Sequence, residues 1–106
     1  MRQRLKDRRA CESFELEVAG QHFTATVGRF EDGRIAEIFL QSRKPGSQSD
    51  ANARDAAVAA SLALQFGCPL ETLRHALLRD SHGWPSTPLG AAVDVITAAE
   101  AADDRR

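Results

Sequence analysis

The sequence predicts an α+β protein in which a three-stranded antiparallel meander is followed by three helices. Two observations favour this class. Apolar residues recur at every second position in the first part of the chain, as in strands, and at helical spacing in the second part. The length of 106 residues suits one domain, since most domains have roughly 100–150 residues. We expect a basic flexible arm over 1–10, a single domain over 11–97 and a frayed C-terminal tail over 98–106.

Three runs of residues carry the strand pattern, and glycine-containing turns separate them: about 13–19, 22–30 and 34–41. In the first two runs apolar and polar residues alternate, so one face of each strand meets water. The third run differs because residues 35–40 are apolar at every position except Glu37. We therefore expect it to be the most buried strand, covered on at least part of both faces.

Residues 50–66 predict a long helix, which Ser49 or Asp50 caps at its beginning and Gly67 ends. Most of its surface is alanine, valine, leucine and phenylalanine. A helix of that kind must be buried against more than one neighbour. Four of its polar residues fall on one narrow stripe: Asp50, Arg54, Ser61 and Gln65.

The apolar face of this helix exceeds what one small sheet and two short helices can cover. A monomer rarely leaves a face of that size in water, so we expect self-association, most simply as a homodimer. Ala60 and Ala63 lie opposite the polar stripe. Changing either to glutamate is expected to split the dimer or unfold the chain, because the carboxylate would be buried without a partner.

Two further helices begin at prolines, which cost no hydrogen bond at the first helical position. Pro69 begins the second helix, and Thr87-Pro88 begins the third, whose apolar stripe continues to about Thr97. Between them, residues 81–85 break the pattern and contain Trp84, the only tryptophan. A loop tryptophan is often an interface anchor, so Trp84 is a candidate partner-binding residue, with packing over the sheet edge as the alternative.

The residues that could carry chemistry are few and scattered. The three histidines have no ligand spacing, and no catalytic or phosphate-loop motif is present, so we expect no enzyme, metal site or cofactor. Cys11 and Cys68 lie far apart and are expected to be reduced thiols. No apolar run approaches about 20 residues and no secretory signal is present, which predicts a cytoplasmic protein without membrane contact.

The net charge of −1 conceals a basic N-terminus, where residues 1–9 carry five bases and one acid. Such an arm can hold nucleic acid through residues 2–9, or an acidic protein surface. Arg4, Arg8 and Arg9 are therefore candidate partner-binding residues. The alternative is a solvated tail that keeps the protein in solution.

A candidate anion-binding site surrounds the beginning of the long helix: Lys44, Gly46, Ser47 and, one turn into the helix, Arg54. The free N–H groups and the dipole of a helix N-terminus attract anions, so a nucleotide phosphate or a partner carboxylate would fit there. The alternative is ordinary capping, in which Asp50 or Asp55 accepts hydrogen bonds from these amides and Arg54 neutralises the carboxylate.

Residues 32–40 read DGRIAEIFL, and residues 44–50 read KPGSQSD. These segments resemble the DGR-x-x-E-I-F-L strand and the K-x-G-S-x-x-D loop of the TSCPD domain, the accessory domain at the C-terminal end of cobalamin-dependent ribonucleotide reductases. Residues 53–67 and 69–77 resemble the two helices that follow in that family. The resemblance extends from residue 4 to about residue 96.

One departure concerns the stretch that gives the family its name. Residues 86–90 read STPLG where the family has Thr-Ser-Cys-Pro-Asp, so the cysteine is missing while Thr87-Pro88 still suits a helix cap. In the reductases this domain is an appendage, and the radical-carrying cysteine and the cobalamin site belong to the rest of a much longer chain. The resemblance therefore implies a binding or regulatory module rather than reductase activity.

Three functions follow from these observations. The first is a non-catalytic protein-binding or regulatory module that acts on a ribonucleotide reductase or another protein complex, with an inhibitor recruited by a mobile element as one form of it. The second is a module that binds a nucleotide or phosphate between Lys44 and Arg54. The third is a small nucleic-acid-associated protein that uses the basic arm.

Overall fold

The computed structural model describes residues 1–5 and 11–104 and has the predicted α+β architecture. Three antiparallel strands form one sheet in the order β1-β2-β3. Three helices follow the sheet, so the predicted meander and helices are confirmed. The elements are β1 (Cys11–Val18), β2 (Gln21–Arg29), β3 (Ile35–Ser42), α1 (Gln48–Gln65), α2 (Leu70–Ala76) and α3 (Pro88–Asp104).

The hydrophobic core lies on one face of the sheet, beneath α1 and α3. Paired residues of neighbouring strands point to the same face, so Ala25 with Leu40 and Val27 with Ile38 form one apolar layer. Helix α1 packs mainly on β3 and α3 packs on β1. As predicted, β3 is the most buried strand, with six buried residues against four in β2 and one in β1.

Strand β3 lies at the edge of the sheet, and α1 covers that edge. The predicted polar stripe explains how, because Asp50, Ser61 and Gln65 are buried against β3. Ala60, which lies opposite the stripe in the sequence pattern, is also buried, with 4% of its surface exposed. Ala60 therefore belongs to the core, so of the two expected effects of Ala60→Glu, unfolding is the one that its burial favours. The sequence pattern places residues on faces of a helix but does not show which face meets the sheet.

The ends of the helices differ from the predicted ones. Ser47 is the N-cap of α1 and its hydroxyl accepts a hydrogen bond from the Asp50 amide at 3.1 Å, so α1 begins before the expected caps. Gly67, with a φ of +102°, follows the end of α1 as predicted. Thr87 Oγ1 accepts from the Gly90 amide at 3.1 Å and caps α3.

The C-terminal tail predicted to fray from residue 98 is helical as far as Asp104. Residues 98–102 contain four alanines, the residue with the highest helix propensity, which outweighs the loss of the apolar stripe. Glu100 also lies 2.9 Å from Arg29 Nη1 in an ion pair with β2. Residues 105 and 106 lie outside the described residues.

The first residues of the predicted basic arm contact the domain. The Gln3 amide donates to the Gln65 carbonyl at 2.8 Å, and Arg2 Nε donates to Gln65 Oε1. Arg34 Nη2 donates to the Gln3 side chain at 2.9 Å. Residues 2 and 3 therefore lie beside the end of α1, and Arg4 follows them with an exposed side chain. The candidate residues Arg8 and Arg9 lie outside the described residues.

Candidate functional site

Polar side chains of α1 form hydrogen bonds with the backbone of the edge strand β3. Ser61 Oγ accepts from the Ile38 amide at 2.9 Å, and its single proton can go to the Ala57 carbonyl at 2.8 Å or to the Ile38 carbonyl at 3.0 Å. One turn further, Gln65 Nε2 donates to the Ala36 carbonyl at 3.1 Å. These groups would otherwise be buried without partners, which is costly. Because these bonds fix the rotation of α1 about its axis, they also determine which helix residues remain in water.

The carboxylate of Asp50 is bonded to the backbone at the C-terminal end of β3. Asp50 Oδ1 accepts from the Ser42 amide at 2.9 Å, and Oδ2 accepts from Arg54 Nε at 2.9 Å and from the Gly46 amide at 3.4 Å. The Ser42 amide, aided by Arg54, holds the pKa of Asp50 below its usual value. Two of the four candidate anion-binding residues therefore bind a carboxylate of the protein itself.

The other two candidate anion-binding residues face a separate cavity. Lys44 and Ser47 line a cavity of about 210 Å³, whereas Arg54 lines a different one of about 190 Å³. Within the loop, Ser47 Oγ donates to the Lys44 carbonyl at 2.9 Å. The structure thus divides the four predicted residues: Gly46 and Arg54 donate hydrogen bonds to Asp50, while Lys44 and Ser47 line the neighbouring cavity. This arrangement matches the capping alternative, and binding of an external phosphate stays a prediction.

The outer side of α1 carries an apolar ridge, which consists of Val58, Leu62 and Phe66. These side chains follow one another at intervals of four residues and are 55%, 40% and 60% exposed. Phe39 of β3, also largely exposed, lines the same small cavity as Val58 and extends the apolar surface. The sequence indicated an exposed apolar face on this helix but did not identify these residues.

A second apolar surface lies on the loop between α2 and α3. Trp84 and Leu78 are 69% and 67% exposed. The two sides of the loop pair through a bridge between Arg79 and Pro85. Side chains alternate across such a pairing, so Leu78 and Trp84 lie on one face and the bridging residues on the other. Sequence reasoning identified Trp84 and missed Leu78, which it assigned to no face.

Hydrogen bonds hold this loop in one conformation. Asp80 Oδ1 accepts from the amides of His82 and Trp84 at 2.8 and 3.0 Å, and the Asp80 amide donates to the Trp84 carbonyl at 2.9 Å. Arg79 forms two hydrogen bonds to Asp94 of α3 and a third to the Gly83 carbonyl. The Arg79 guanidinium lowers the pKa of Asp94. The loop is therefore anchored to α3 as well as closed on itself.

The stretch that corresponds to the TSCPD signature lies at the mouth of a cleft. Thr87 and Pro88 line this cavity of about 550 Å³ together with apolar side chains such as Phe23, Leu77 and Leu89. None of the described residues that line it is charged. A cleft of this size and composition suits an uncharged group rather than a phosphate.

Chemistry-bearing side chains are dispersed over the domain. Within residues 1–5 and 11–104, no group of three or more His, Cys, Asp or Glu residues is placed to hold a metal ion. His22 Nε2 lies 3.9 Å from Glu17 Oε2 in the sheet, and His75 Nε2 lies 2.8 Å from Glu71 Oε1 on α2. The two pairs thus belong to different parts of the fold. In this same part of the chain, no helix has the length and apolar character needed to cross a membrane.

Comparison with known proteins relates this chain to part of a large enzyme. It is 40% identical over 70 residues to the vitamin B12-dependent ribonucleotide reductase of Agrobacterium fabrum, a match that covers 66% of the chain and 6% of the relative. It is 34% identical over 70 residues to that of Bradyrhizobium diazoefficiens, with the same coverage, and 35% identical over 72 residues to that of Rhodopirellula baltica. The last match covers 68% of the chain and 7% of the relative.

No family model and no solved structure matches the chain. The chain spans only 6–7% of the length of the curated relatives, so the similarity concerns a small segment of each reductase. The resemblance drawn from residues 32–40 and 44–50 is confirmed to this extent. The protein is homologous to a segment of the vitamin B12-dependent ribonucleotide reductases, which is consistent with a TSCPD-like accessory domain.

Proposed function

We propose that this protein is a non-catalytic protein-binding module that binds its partner through Leu78 and Trp84. The observation that carries the proposal is a loop held by hydrogen bonds that nevertheless leaves two large apolar side chains in water. Exposing both side chains costs free energy in the isolated protein, and binding a partner recovers it.

The rigidity of the loop is what favours recognition over a passive role. A loop that is already ordered loses little conformational entropy on binding, so more of the contact free energy appears as affinity. Tryptophan is among the residues that contribute most to protein interfaces. Asp80 fixes the backbone at Trp84, and Arg79 joins the loop to Asp94 on α3. The surface is therefore pre-organised in its binding conformation.

The partner we propose is a ribonucleotide reductase, on which the module acts as a regulator. The similarity to a segment of vitamin B12-dependent reductases supports this choice, since homologous segments can share the same binding contacts. The nucleotide-binding alternative has weaker support, because the amides of Ser42 and Gly46 already donate to Asp50.

Calorimetric titration of the protein into a vitamin B12-dependent reductase of its own organism tests the proposal. We expect saturable binding, which Trp84→Ala weakens by about tenfold or more and Leu78→Ala weakens to a smaller extent. Val95→Ala is the matched control, because Val95 is 42% exposed on α3, outside the loop. Equal affinity of Trp84→Ala and wild type would show that the loop is not the binding surface.

The regulatory part needs its own measurement. The rate of deoxynucleotide formation by the reductase is compared with and without a saturating amount of the protein. We expect the rate to change with wild type and to be restored when Trp84→Ala replaces it at the same concentration. Binding without any change of rate would contradict regulation, and absence of binding would contradict the choice of a reductase.

A further inference from the structure

We propose that a second copy of this chain covers the apolar ridge of α1, so that two α1 helices pack antiparallel about a two-fold axis near Leu62. This interface is distinct from the loop that carries Trp84. The sequence predicts self-association without indicating the surface, and the ridge is the surface that we propose for it.

The ridge cannot be buried within its own chain. Ser61, Gln65 and Asp50 are bonded to the backbone of β3, so α1 cannot rotate to turn Val58, Leu62 and Phe66 inward without breaking those bonds. Three alanines and Leu64 already occupy the inward apolar positions of α1. The apolar surface therefore requires a partner from outside the chain if it is to leave water.

The spacing of the ridge makes it complementary to itself. Val58 and Phe66 each lie four residues from Leu62. When two copies of α1 run antiparallel with Leu62 at the axis, Val58 of one copy faces Phe66 of the other, and the two Leu62 side chains face each other. Such a patch closes a dimer with a single surface, as two-fold symmetry requires.

Charge supports the same arrangement. Asp55 lies seven residues before Leu62, about 10 Å along the helix, whereas α1 ends at Gln65, three residues beyond Leu62. In the antiparallel pair, Asp55 of one copy therefore lies just past the end of α1 in the other, where the N-terminal segment is held on Gln65. That segment carries Arg2 and Arg4. Among the described residues, neither Asp55 nor Arg4 has an ion-pair partner within the chain, so both charges are available across the axis.

Light scattering behind a sizing column at micromolar concentration is the first test. We expect a mass twice the 11.5 kDa of the chain. Leu62→Glu is expected to weaken the dimer by at least about tenfold, because two carboxylates would meet at the axis. Val95→Glu is the control, since Val95 on α3 has nearly the same exposure as Leu62 and lies outside the ridge. Circular dichroism should show that both variants are folded.

Charge reversal tests the antiparallel register. Asp55→Arg alone, or Arg2→Glu with Arg4→Glu, is expected to weaken the dimer, and combining all three changes is expected to restore it. Added salt should weaken the wild-type dimer, because the pairs across the axis are exposed to screening. Restoration of the dimer in the triple variant supports the antiparallel arrangement, because a general effect of net charge on association would not restore it.

A wild-type monomer at micromolar concentration would overturn the proposal. A dimer that Leu62→Glu leaves intact would overturn it as well, and so would equal disruption by Val95→Glu. The proposed function is tested separately, because binding of a reductase through Trp84 is measured on the Leu62→Glu variant. Loss of one interaction with retention of the other distinguishes the two.

Discussion

The hydroxyl of Ser61 accepts a hydrogen bond from the Ile38 amide at 2.9 Å, and it lies 2.8 Å from the Ala57 carbonyl oxygen and 3.0 Å from the Ile38 carbonyl oxygen. A helix side chain thus takes the place that a neighbouring strand would fill at the edge of the sheet. Burial of Ser61 and Ile38 makes this bond important, since water cannot replace it.

Replacing Ser61 by alanine should lower the free energy of unfolding by about 1–3 kcal/mol, because the buried Ile38 amide would lose its acceptor. Urea denaturation measures the change. Ser49→Ala is the matched control, since Ser49 lies on the same helix and its side chain makes no hydrogen bond within the described residues. A Ser61→Ala protein as stable as the control would show that the edge bond is not needed.

Removing the charge of Asp50 should change how stability depends on pH. The folded state lowers the pKa of Asp50, so this carboxylate contributes stability above its ordinary pKa of about 3.9, and the contribution is lost as pH falls through the lowered value. Asp50→Asn should therefore be less stable than wild type at neutral pH, with a difference that narrows in acid. Urea denaturation over a pH series tests this.

The control for that series is Asp103→Asn, which alters an exposed carboxylate on α3, away from the apolar ridge, that has no ion-pair partner in the described part of the chain. Its stability curve should run parallel to that of wild type. A constant difference between Asp50→Asn and wild type at every pH would mean that the carboxylate acts through shape and hydrogen bonding rather than charge.

Neighbouring alanines of α1 should respond differently to glutamate. Ala60→Glu is expected to cost more than about 3 kcal/mol and to leave much of the chain unfolded, because the carboxylate would enter the core beneath the helix. Ala59→Glu, one residue away and exposed, should stay within about 0.5 kcal/mol of wild type. Circular dichroism at a concentration too low for association compares them, and equal tolerance at both positions would contradict the assigned helix orientation.

The loop at Trp84 should lose its rigidity when Asp80 is changed to alanine. The amides of His82 and Trp84 would lose their shared acceptor, and the tryptophan ring should then move more freely on the nanosecond timescale. Time-resolved fluorescence anisotropy reports this directly, because Trp84 is the only tryptophan. Ser81→Ala, at the exposed neighbouring position, is the control, and identical decays for the two variants would refute the role of Asp80.

The sheet and the helices could be predicted from periodicity because burial on one face imposes it. Phe23, Ala25 and Val27 alternate with polar residues, and the structure buries all three. Periodicity does not predict the extension of α3 through residues 98–104, because the apolar stripe ends near Thr97. The helix continues there on the high helix propensity of alanine, which leaves no periodic pattern.

The candidate site was harder to predict because hydrogen bonding reverses the usual relation between polarity and exposure. Ser61 and Gln65 are polar and buried, while Leu62 and Phe66 beside them are apolar and exposed. The signal in the sequence was serine in a helix interior, where it is unfavourable unless its hydroxyl has a partner. The hydroxyl lies within bonding distance of the Ala57 carbonyl of its own helix and of the backbone of β3, whose place at the edge depends on strand order rather than on local pattern.

Closing the edge of β3 with side chains also governs how the protein can misassemble. An edge strand with bare amides and carbonyls is a template onto which strands of other molecules add, and natural sheets guard against such growth. In this protein α1 covers the edge of β3, to whose backbone it is bonded through Asp50, Ser61 and Gln65. Protection of the β3 edge is therefore tied to the docking of α1, and a chain that loses this helix exposes that edge together with much of its core.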